Sequence, residues 1–161
     1  MNNFPVQHEG KTYWISRSVA VTCFVFAPVN GEWCVLANQR GLNAPDFQGY
    51  WNCPCGYLDF NETTAQAAIR ETYEETGVVL NDVKLWKVMD SPKENRQNIV
   101  FRYYTIIPNA IKPNSDTELR GGESNEVLAV TWIPVKMLDQ HQWAFNHDKA
   151  IRDLMKELNL S

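Results

Sequence analysis

Three glutamates stand within five positions of one segment, GYLDFNETTAQAAIRETYEETGV, and could together hold a metal ion. Glu71, Glu74 and Glu75 follow directly after Arg70. On a helix, side chains three and four positions apart lie close together, so the three carboxylates share one arc. Their mutual repulsion and the helix dipole near the C-terminal end both disfavour this cluster. A bound divalent cation would offset that cost, and a solvent-exposed acidic face is the competing interpretation.

The ligand type indicates which metal such a cluster would bind. Carboxylate oxygens suit Mg²⁺ or Mn²⁺ better than Zn²⁺. Arg70 lies one turn before Glu74 and can brace a carboxylate through a bidentate fork. The chain has four cysteines, but they lack the paired CxxC spacing of a structural zinc site. We therefore interpret the cysteines as reduced thiols and the glutamates as a site for a hard cation.

The surrounding sequence predicts the elements that must position this cluster. The spacing predicts a helix over 63–76, capped by Asn61 or Thr63 and ended by Gly77. Asn30-Gly31 predicts a hairpin turn between two strands. Residues 41–62 read as a long loop that can include a short strand, and such loops tend to be functional. Strands are predicted within 18–29, 32–40, 78–92, 97–108 and 127–135, and an amphipathic helix within 146–160.

Composition restricts the class of protein. The chain has 161 residues, of which 44% are hydrophobic, so we expect one domain over 1–161. The order of the predicted elements, strands with hairpin connections and two separated helices, predicts an α/β fold with a mixed sheet. The net charge of −4 supplies no cationic field for a nucleic-acid backbone or an anionic membrane. No apolar stretch is long enough for a transmembrane helix. The first residues also lack the pattern of a signal peptide, so a cytoplasmic location is expected.

The whole segment resembles the Nudix box, Gx5Ex7REUxEExGU, in which U is an aliphatic residue. The matching positions are Gly56, Glu62, Arg70, Glu71, Glu74, Glu75, Gly77 and Val78. Thr72 stands where an aliphatic residue is usual, and its methyl group can still pack in a core. The similarity extends to VLANQRG before the loop, to WNCPCG leading into the box and to the late segment WIPV. In WNCPCG, Cys55 replaces a glycine of the family pattern.

This resemblance implies a Nudix-type α/β/α sandwich with a mixed, partly antiparallel sheet. It implies hydrolysis of a nucleoside diphosphate linked to another moiety, with Mg²⁺ or Mn²⁺ as cofactor. Glu74 and Glu75 would be the primary metal ligands, joined by the carbonyl of Cys55, and Glu71 would be a ligand or the general base.

The resemblance also assigns supporting roles. Arg70, which we include in the catalytic group, would pair with Glu62 to hold the loop and helix together. The general base would come from the box or from a later loop, where Glu123 and Glu126 are candidates and Glu126 is slightly preferred.

The substrate is less defined by the sequence. Trp51 and Tyr57 are candidate stacking platforms for a base, and Arg17 and Arg40 are candidate phosphate ligands. An ADP-ribose-like compound, a dinucleotide or a nucleoside triphosphate would each fit the family chemistry. The alternative is a non-catalytic nucleotide sensor on the same fold. Removal of an RNA cap is disfavoured by the acidic charge, no membrane partner is expected, and a homodimer is left open.

Overall fold

A computed structural model describes residues 3–92, 97–116 and 125–160. It contains two strands β1 (Phe4–His8) and β2 (Lys11–Ile15) that pair only with each other. The remaining elements in chain order are β3 (Val19–Val29), β4 (Glu32–Arg40), β5 (Trp51–Asn52), β6 (Cys55–Tyr57), α1 (Thr64–Thr76), β7 (Lys84–Asp90), β8 (Ile99–Ile106), β9 (Val127–Pro134), a 3-10 helix (Val135–Gln140) and α2 (His147–Glu157).

The second sheet is mixed, as the sequence predicts. Within the described residues it has seven strands in the order β5-β4-β3-β8-β7, with β6 on β3 and β9 on β4. Strands β3 and β8 are parallel and the other pairs are antiparallel. The β3–β4 hairpin turns at Asn30 and Gly31, which both have positive φ, and this confirms the predicted turn.

The two helices cover opposite faces of this sheet. Alternate residues of β3 point to opposite sides, so Val21, Cys23 and Val25 contact the α1 side while Phe24 and Phe26 contact the α2 side. The chain therefore forms the predicted α/β/α sandwich, with one core on each side of the sheet. No helix among the described residues has the length and hydrophobicity needed to cross a bilayer.

The structure refines three predicted elements. Helix α1 begins at Thr64, because Thr63 is its N-cap and accepts a hydrogen bond from the Gln66 N–H. The loop over 41–62 holds two short strands, since β5 pairs with β4 and β6 with β3. The strand predicted within 78–92 covers only Lys84–Asp90, because Val78 and Leu80 are buried beneath α1 before the strand starts.

Candidate active site

Helix α1 turns two of its three clustered glutamates into the protein. Its capping box closes the N-terminus, and Gly77 ends it in the left-handed conformation. Glu71 and Glu75 lie one turn apart and are only 8% and 4% exposed. Glu74 lies between them in sequence, but it is less buried, and 23% of its side chain is exposed. The interpretation of a solvent-exposed acidic face is therefore wrong for Glu71 and Glu75.

Arg70 holds the box together through five hydrogen bonds. Its Nε donates to Glu62 Oε2 at 3.0 Å and its Nη2 to Glu62 Oε1 at 2.8 Å, which is the expected Arg70–Glu62 pair in bidentate form. Nη1 donates to Glu71 Oε1 at 2.8 Å and to Glu74 Oε2 at 3.0 Å. Nη2 also donates to the Tyr57 carbonyl at 3.0 Å. One guanidinium thus joins the end of β6 to three carboxylates of the box.

Gly56 lets the Glu71 carboxylate lie directly against β6. A Cβ atom at Gly56 would stand 2.2 Å from Glu71 Oε1 and 2.3 Å from its carboxyl carbon. Such contacts are far inside van der Waals distance, so any other residue here would displace the carboxylate. This is the physical reason for a glycine at the start of the box.

Burial and repulsion by neighbouring carboxylates disfavour the ionised forms of Glu71 and Glu75. Desolvation is the largest effect on Glu71, and together with the charges of Glu74 and Glu126 it raises the pKa of Glu71 to about 7 against the lowering effect of Arg70. Desolvation, then the charges of Glu71 and Glu126, hold the pKa of Glu75 well above its usual range. In contrast, hydrogen bonds from Arg70 lower the pKa of Glu62.

A cavity of about 90 Å³ adjoins Glu75. Its lining comes from β4 and the loop that follows it, from β6, from α1 and from the segment before β9. It includes charged and amide side chains, and the lining residues are Asn38, Arg40, Asn43, Ala44, Pro45, Cys55, Glu75 and Glu126. A larger groove of about 420 Å³ lies outside α1 between Ile69, Tyr73 and Val79. Because that groove is almost wholly apolar, it does not suit a phosphorylated ligand, and we take the smaller cavity as the candidate site.

Glu126 reaches this cavity because the chain passes very close to Gly41. The Gly41 N–H donates to the Glu126 carbonyl at 2.7 Å. A Cβ atom at Gly41 would stand 1.7 Å from the Asn125 carbonyl oxygen, so only glycine permits this approach. Glu126 was predicted from its position before β9, and Glu123 lies outside the described residues.

Of the two arginines predicted to bind phosphate, Arg40 lies in the cavity and Arg17 does not. Arg40 donates from Nε to the Asp46 carbonyl at 3.0 Å and from Nη2 to Asp46 Oδ1 at 2.8 Å, and its guanidinium lies 4.9 Å from the centre of the Phe145 ring. Arg17 instead pairs with Asp90 and donates to the Gln97 carbonyl. These partners hold Arg40 at the site and Arg17 at the start of β3.

The two aromatic residues predicted to bind a base lie outside the cavity. Trp51 packs against the core on the α2 side and meets the His141 ring edge-on at 5.6 Å. Since Asn52 is paired with Asn38 on the α1 side, the alternation of β5 turns Trp51 to the other face of the sheet. Tyr57 is 48% exposed and its hydroxyl lies 3.3 Å from Asn98 Nδ2, so it stands at the surface near Arg70.

Sequence reasoning missed Asn38, Asp46 and Gly41. Asn38 follows directly on the apolar run of β4 and precedes the QR pair, and this position beside the noted pair is the signal that could have marked it. Gly41 follows the QR pair that was noted, but its contact with Asn125 joins segments far apart in the chain. Asp46 lies in a loop without periodicity, and only the tertiary structure shows that it orients Arg40.

The donor set suits a divalent cation. Glu75 is nearly fully buried, yet its one hydrogen bond given by the structure comes from the Cys55 N–H at 3.2 Å, and a buried carboxylate needs more compensation than this. Glu71 and Glu126 add negative charge beside it. No three acidic, histidine or cysteine side chains of the described residues already surround one point, and Arg70 binds one oxygen each of Glu71 and Glu74.

A family model described as NUDIX domain matches residues 16–154. "Nudix hydrolase 3" of Caenorhabditis elegans is 32% identical over 110 residues, which are 68% of this chain and 45% of that protein. "ADP-ribose pyrophosphatase" of Methanocaldococcus jannaschii is 28% identical over 117 residues, 70% of this chain and 62% of that protein. This chain therefore spans less than two thirds of either relative.

A solved structure gives the same fold. The NUDIX domain of Shewanella oneidensis NrtR, complexed with ADP ribose, superposes with a TM-score of 0.76 and 21% identity. The match covers 89% of this chain and 90% of that one. At this identity the match concerns the fold alone.

Proposed function

Since this chain belongs to the NUDIX domain family, we propose that it is a pyrophosphohydrolase that uses Mg²⁺ or Mn²⁺. The substrate would be a nucleoside diphosphate joined through its diphosphate to another moiety. The observation that carries this proposal is the buried Glu75 carboxylate, which adjoins Glu71 and Glu126 in a cavity that also contains Arg40. This chemistry requires acidic groups that can bind a divalent metal ion and a cationic side chain that can bind phosphate.

Each side chain has a role that follows from its position. Glu71, Glu74 and Glu75 would hold the metal, with the Cys55 carbonyl as a further oxygen ligand. When bound, a divalent ion neutralises phosphate charge and lowers the pKa of an attacking water. Arg70 and Glu62 orient the carboxylates and do not touch the substrate, because every Arg70 donor group is already engaged within the box.

Arg40 would bind a phosphate oxygen of the substrate. Asp46 takes its Nε and Nη2, so the guanidinium reaches the cavity already oriented, and less side-chain freedom is lost on binding. Glu126 would act as general base and accept the proton of the attacking water on a carboxylate oxygen, since it lies in the cavity beside Glu75. Glu123 stays the alternative base.

ADP-ribose or a related dinucleotide is the proposed substrate class, with nucleoside triphosphates as the next candidates. The name of the archaeal relative, an ADP-ribose pyrophosphatase, supports this choice. The acidic cavity and the negative net charge do not favour a long nucleic-acid substrate. We therefore expect a small-molecule nucleotide to be the ligand of this site.

A substrate panel tests the proposal. ADP-ribose, NADH, diadenosine polyphosphates, sugar nucleotides, nucleoside triphosphates and a 5′-triphosphorylated RNA would each be incubated with Mg²⁺ or with chelator, and nucleoside monophosphate or phosphate release measured. We expect turnover of ADP-ribose or a dinucleotide only when Mg²⁺ is present, and turnover at least 100-fold lower by Glu75→Gln. A folded protein that binds ADP-ribose but releases no product would instead be the nucleotide sensor.

A further inference from the structure

Two buried amide oxygens, one in the cavity lining and one on the strand beside it, have no hydrogen-bond donor within the part of the chain that the structure describes. They are Oδ1 of Asn38 and Oδ1 of Asn52, and these residues are 2% and 0% exposed. Asn38 on β4 and Asn52 on β5 are directly paired, so both side chains project from the same face of the sheet. Buried polar atoms are nearly always hydrogen-bonded in proteins, so this amide pair needs a partner.

Several donors close to the amide pair already have other acceptors. Asn52 Nδ2 donates to Cys55 Sγ at 3.1 Å, and the Cys55 N–H donates to Glu75 Oε2. Arg40 gives its Nε and Nη2 to Asp46. The carboxylates of Glu75 and Glu126 line the same cavity as Asn38, and they add further acceptors beside its amide oxygen.

An acceptor-rich cavity selects a ligand that carries both positive charge and several donors. A volume of about 90 Å³ has room for several water molecules, since one needs on the order of 10 to 15 Å³ by the same measure. A phosphate oxygen offers only lone pairs and would be repelled by the amide oxygens. Mg²⁺ and Mn²⁺ keep part of their water shell when bound to carboxylates, and polarised metal-bound water is a strong donor.

We propose that Asn38 and Asn52 are positioning residues that accept hydrogen bonds from water bound to the divalent ion. Glu71 and Glu75 would contact the metal, and the amide pair would orient the water molecules that the metal keeps. Replacing a residue that hydrogen-bonds to a ligand of the metal typically lowers metal affinity by roughly 10- to 100-fold. The inference rests on the metal site of the proposed function.

Two isosteric substitutions of Asn38 test this role without substrate. Mn²⁺ binding would be titrated by electron paramagnetic resonance of the free ion, and the metal-free proteins compared by thermal denaturation. Asn38→Leu should weaken Mn²⁺ binding at least tenfold with no loss of metal-free stability, because an unpartnered buried oxygen is removed. Asn38→Asp should bind Mn²⁺ at least as tightly as the wild type but be less stable without metal. Asn52→Leu should act in the same direction as Asn38→Leu.

Gln39→Met is the matched control. Gln39 is the next residue of the same strand, and its amide donates to the Gly49 carbonyl, so its replacement should leave Mn²⁺ affinity unchanged. If Asn38→Leu binds Mn²⁺ as the wild type does, the role of the amide pair is refuted while the metal site stands. If the wild-type protein binds no Mn²⁺, both the metal site and this inference fail.

Discussion

Glu75 and Glu74 are sequence neighbours with opposite surroundings. Glu75 is almost fully buried and depends on one backbone N–H, whereas Glu74 is partly exposed and bonded to Arg70. Burying an anion with so little compensation is unfavourable. On the proposed function, Glu75 is therefore the carboxylate that a bound cation would stabilise most, and Glu74 would contribute from the rim.

Neutralising Glu75 should separate metal binding from folding. We expect Glu75→Gln to lower Mg²⁺-dependent turnover at least 100-fold, because the carboxylate facing the cavity is lost. The free energy of unfolding of the metal-free protein at pH 8 should be unchanged or higher, since repulsion with Glu71 and Glu126 is removed. Turnover assays and urea denaturation measure the two effects. Glu74→Gln should lose less activity than Glu75→Gln, and the reverse order would contradict this assignment.

His147 makes the stability of the protein depend on pH. It is buried, and its Nδ1 accepts the Cys53 N–H at 3.0 Å, which requires the neutral ring. Burial first, then the charges of Arg102 and Arg40, lower the pKa of His147 to about 3. The unfolded chain takes up a proton near pH 6.5, whereas the folded protein does not until about pH 3. The stabilising contribution is therefore complete above pH 6.5 and declines as the pH falls.

The His147 contribution can be measured by difference. Between pH 6.5 and pH 5 the group should reduce the free energy of unfolding by about 2 kcal/mol, at about 1.4 kcal/mol per pH unit. His147→Asn keeps an acceptor near the Nδ1 position but cannot titrate. Urea denaturation at both pH values should show the smaller loss in the variant, and equal losses in both proteins would show that His147 is not the titrating group.

At the scale of elements, the junction of β6 and α1 sets the position of Glu71. The helix is fixed at both ends by its caps, and its Ala67 and Ala68 are fully buried against the sheet. Because α1 cannot shift outward without losing this packing, the space for the Glu71 carboxylate depends on the missing side chain at Gly56.

Gly56→Ala should therefore impair activity while the helix persists. The new Cβ would meet the Glu71 carboxyl group, so the carboxylate must rotate away, and we expect at least a tenfold loss of Mg²⁺-dependent turnover. Helix content measured by circular dichroism should be unchanged. Gly31→Ala is a suitable comparison, because no atom of the described residues lies within 4 Å of the added Cβ and only turn stability should fall. Full activity of Gly56→Ala would refute the proposed contact.

At the scale of the whole molecule, the sheet brings four distant segments to one cavity. Asn38 and Arg40 come from β4, Cys55 from β6, Glu75 from α1 and Glu126 from the segment just before β9. β4 and α1 contribute side chains to the core on the α1 side of the sheet. β9 pairs with β4, and β6 pairs with β3. A ligand that contacts several of these segments should accordingly stabilise the folded state as a whole.

Metal binding should raise the melting temperature. At a concentration 100 times its dissociation constant, a ligand of the native state alone contributes about 2.7 kcal/mol. For a chain of this size that corresponds to a shift of about 5 to 10 °C. Differential scanning fluorimetry with Mn²⁺ or with chelator measures it, and Glu75→Gln should show a much smaller shift. Equal melting temperatures of the wild-type protein with and without metal would argue against a site in this cavity.

Local patterns predicted the elements that depend on local physics. The β3–β4 turn follows from Asn30-Gly31, and the end of α1 follows from Gly77, because turn and cap geometry is decided within a few residues. The hairpin of β1 and β2 was missed, although Glu9 and Gly10 form its turn with positive φ. Nearly all its side chains are exposed, so it lacks the alternation of buried and exposed residues by which strands are recognised.

The sequence by itself determined the chemistry of this protein: the residue types and spacing of the box specify clustered carboxylates, their arginine and the two glycines. Only the tertiary structure decided which of those carboxylates are buried, that Arg40 and Glu126 reach them while Trp51 faces the other side of the sheet, and that Asn38 and Asn52 lie together. The reason is physical. Spacing along one helix follows from its period, whereas the approach of β4, β6 and β9 depends on strand pairing and close packing across the whole sheet.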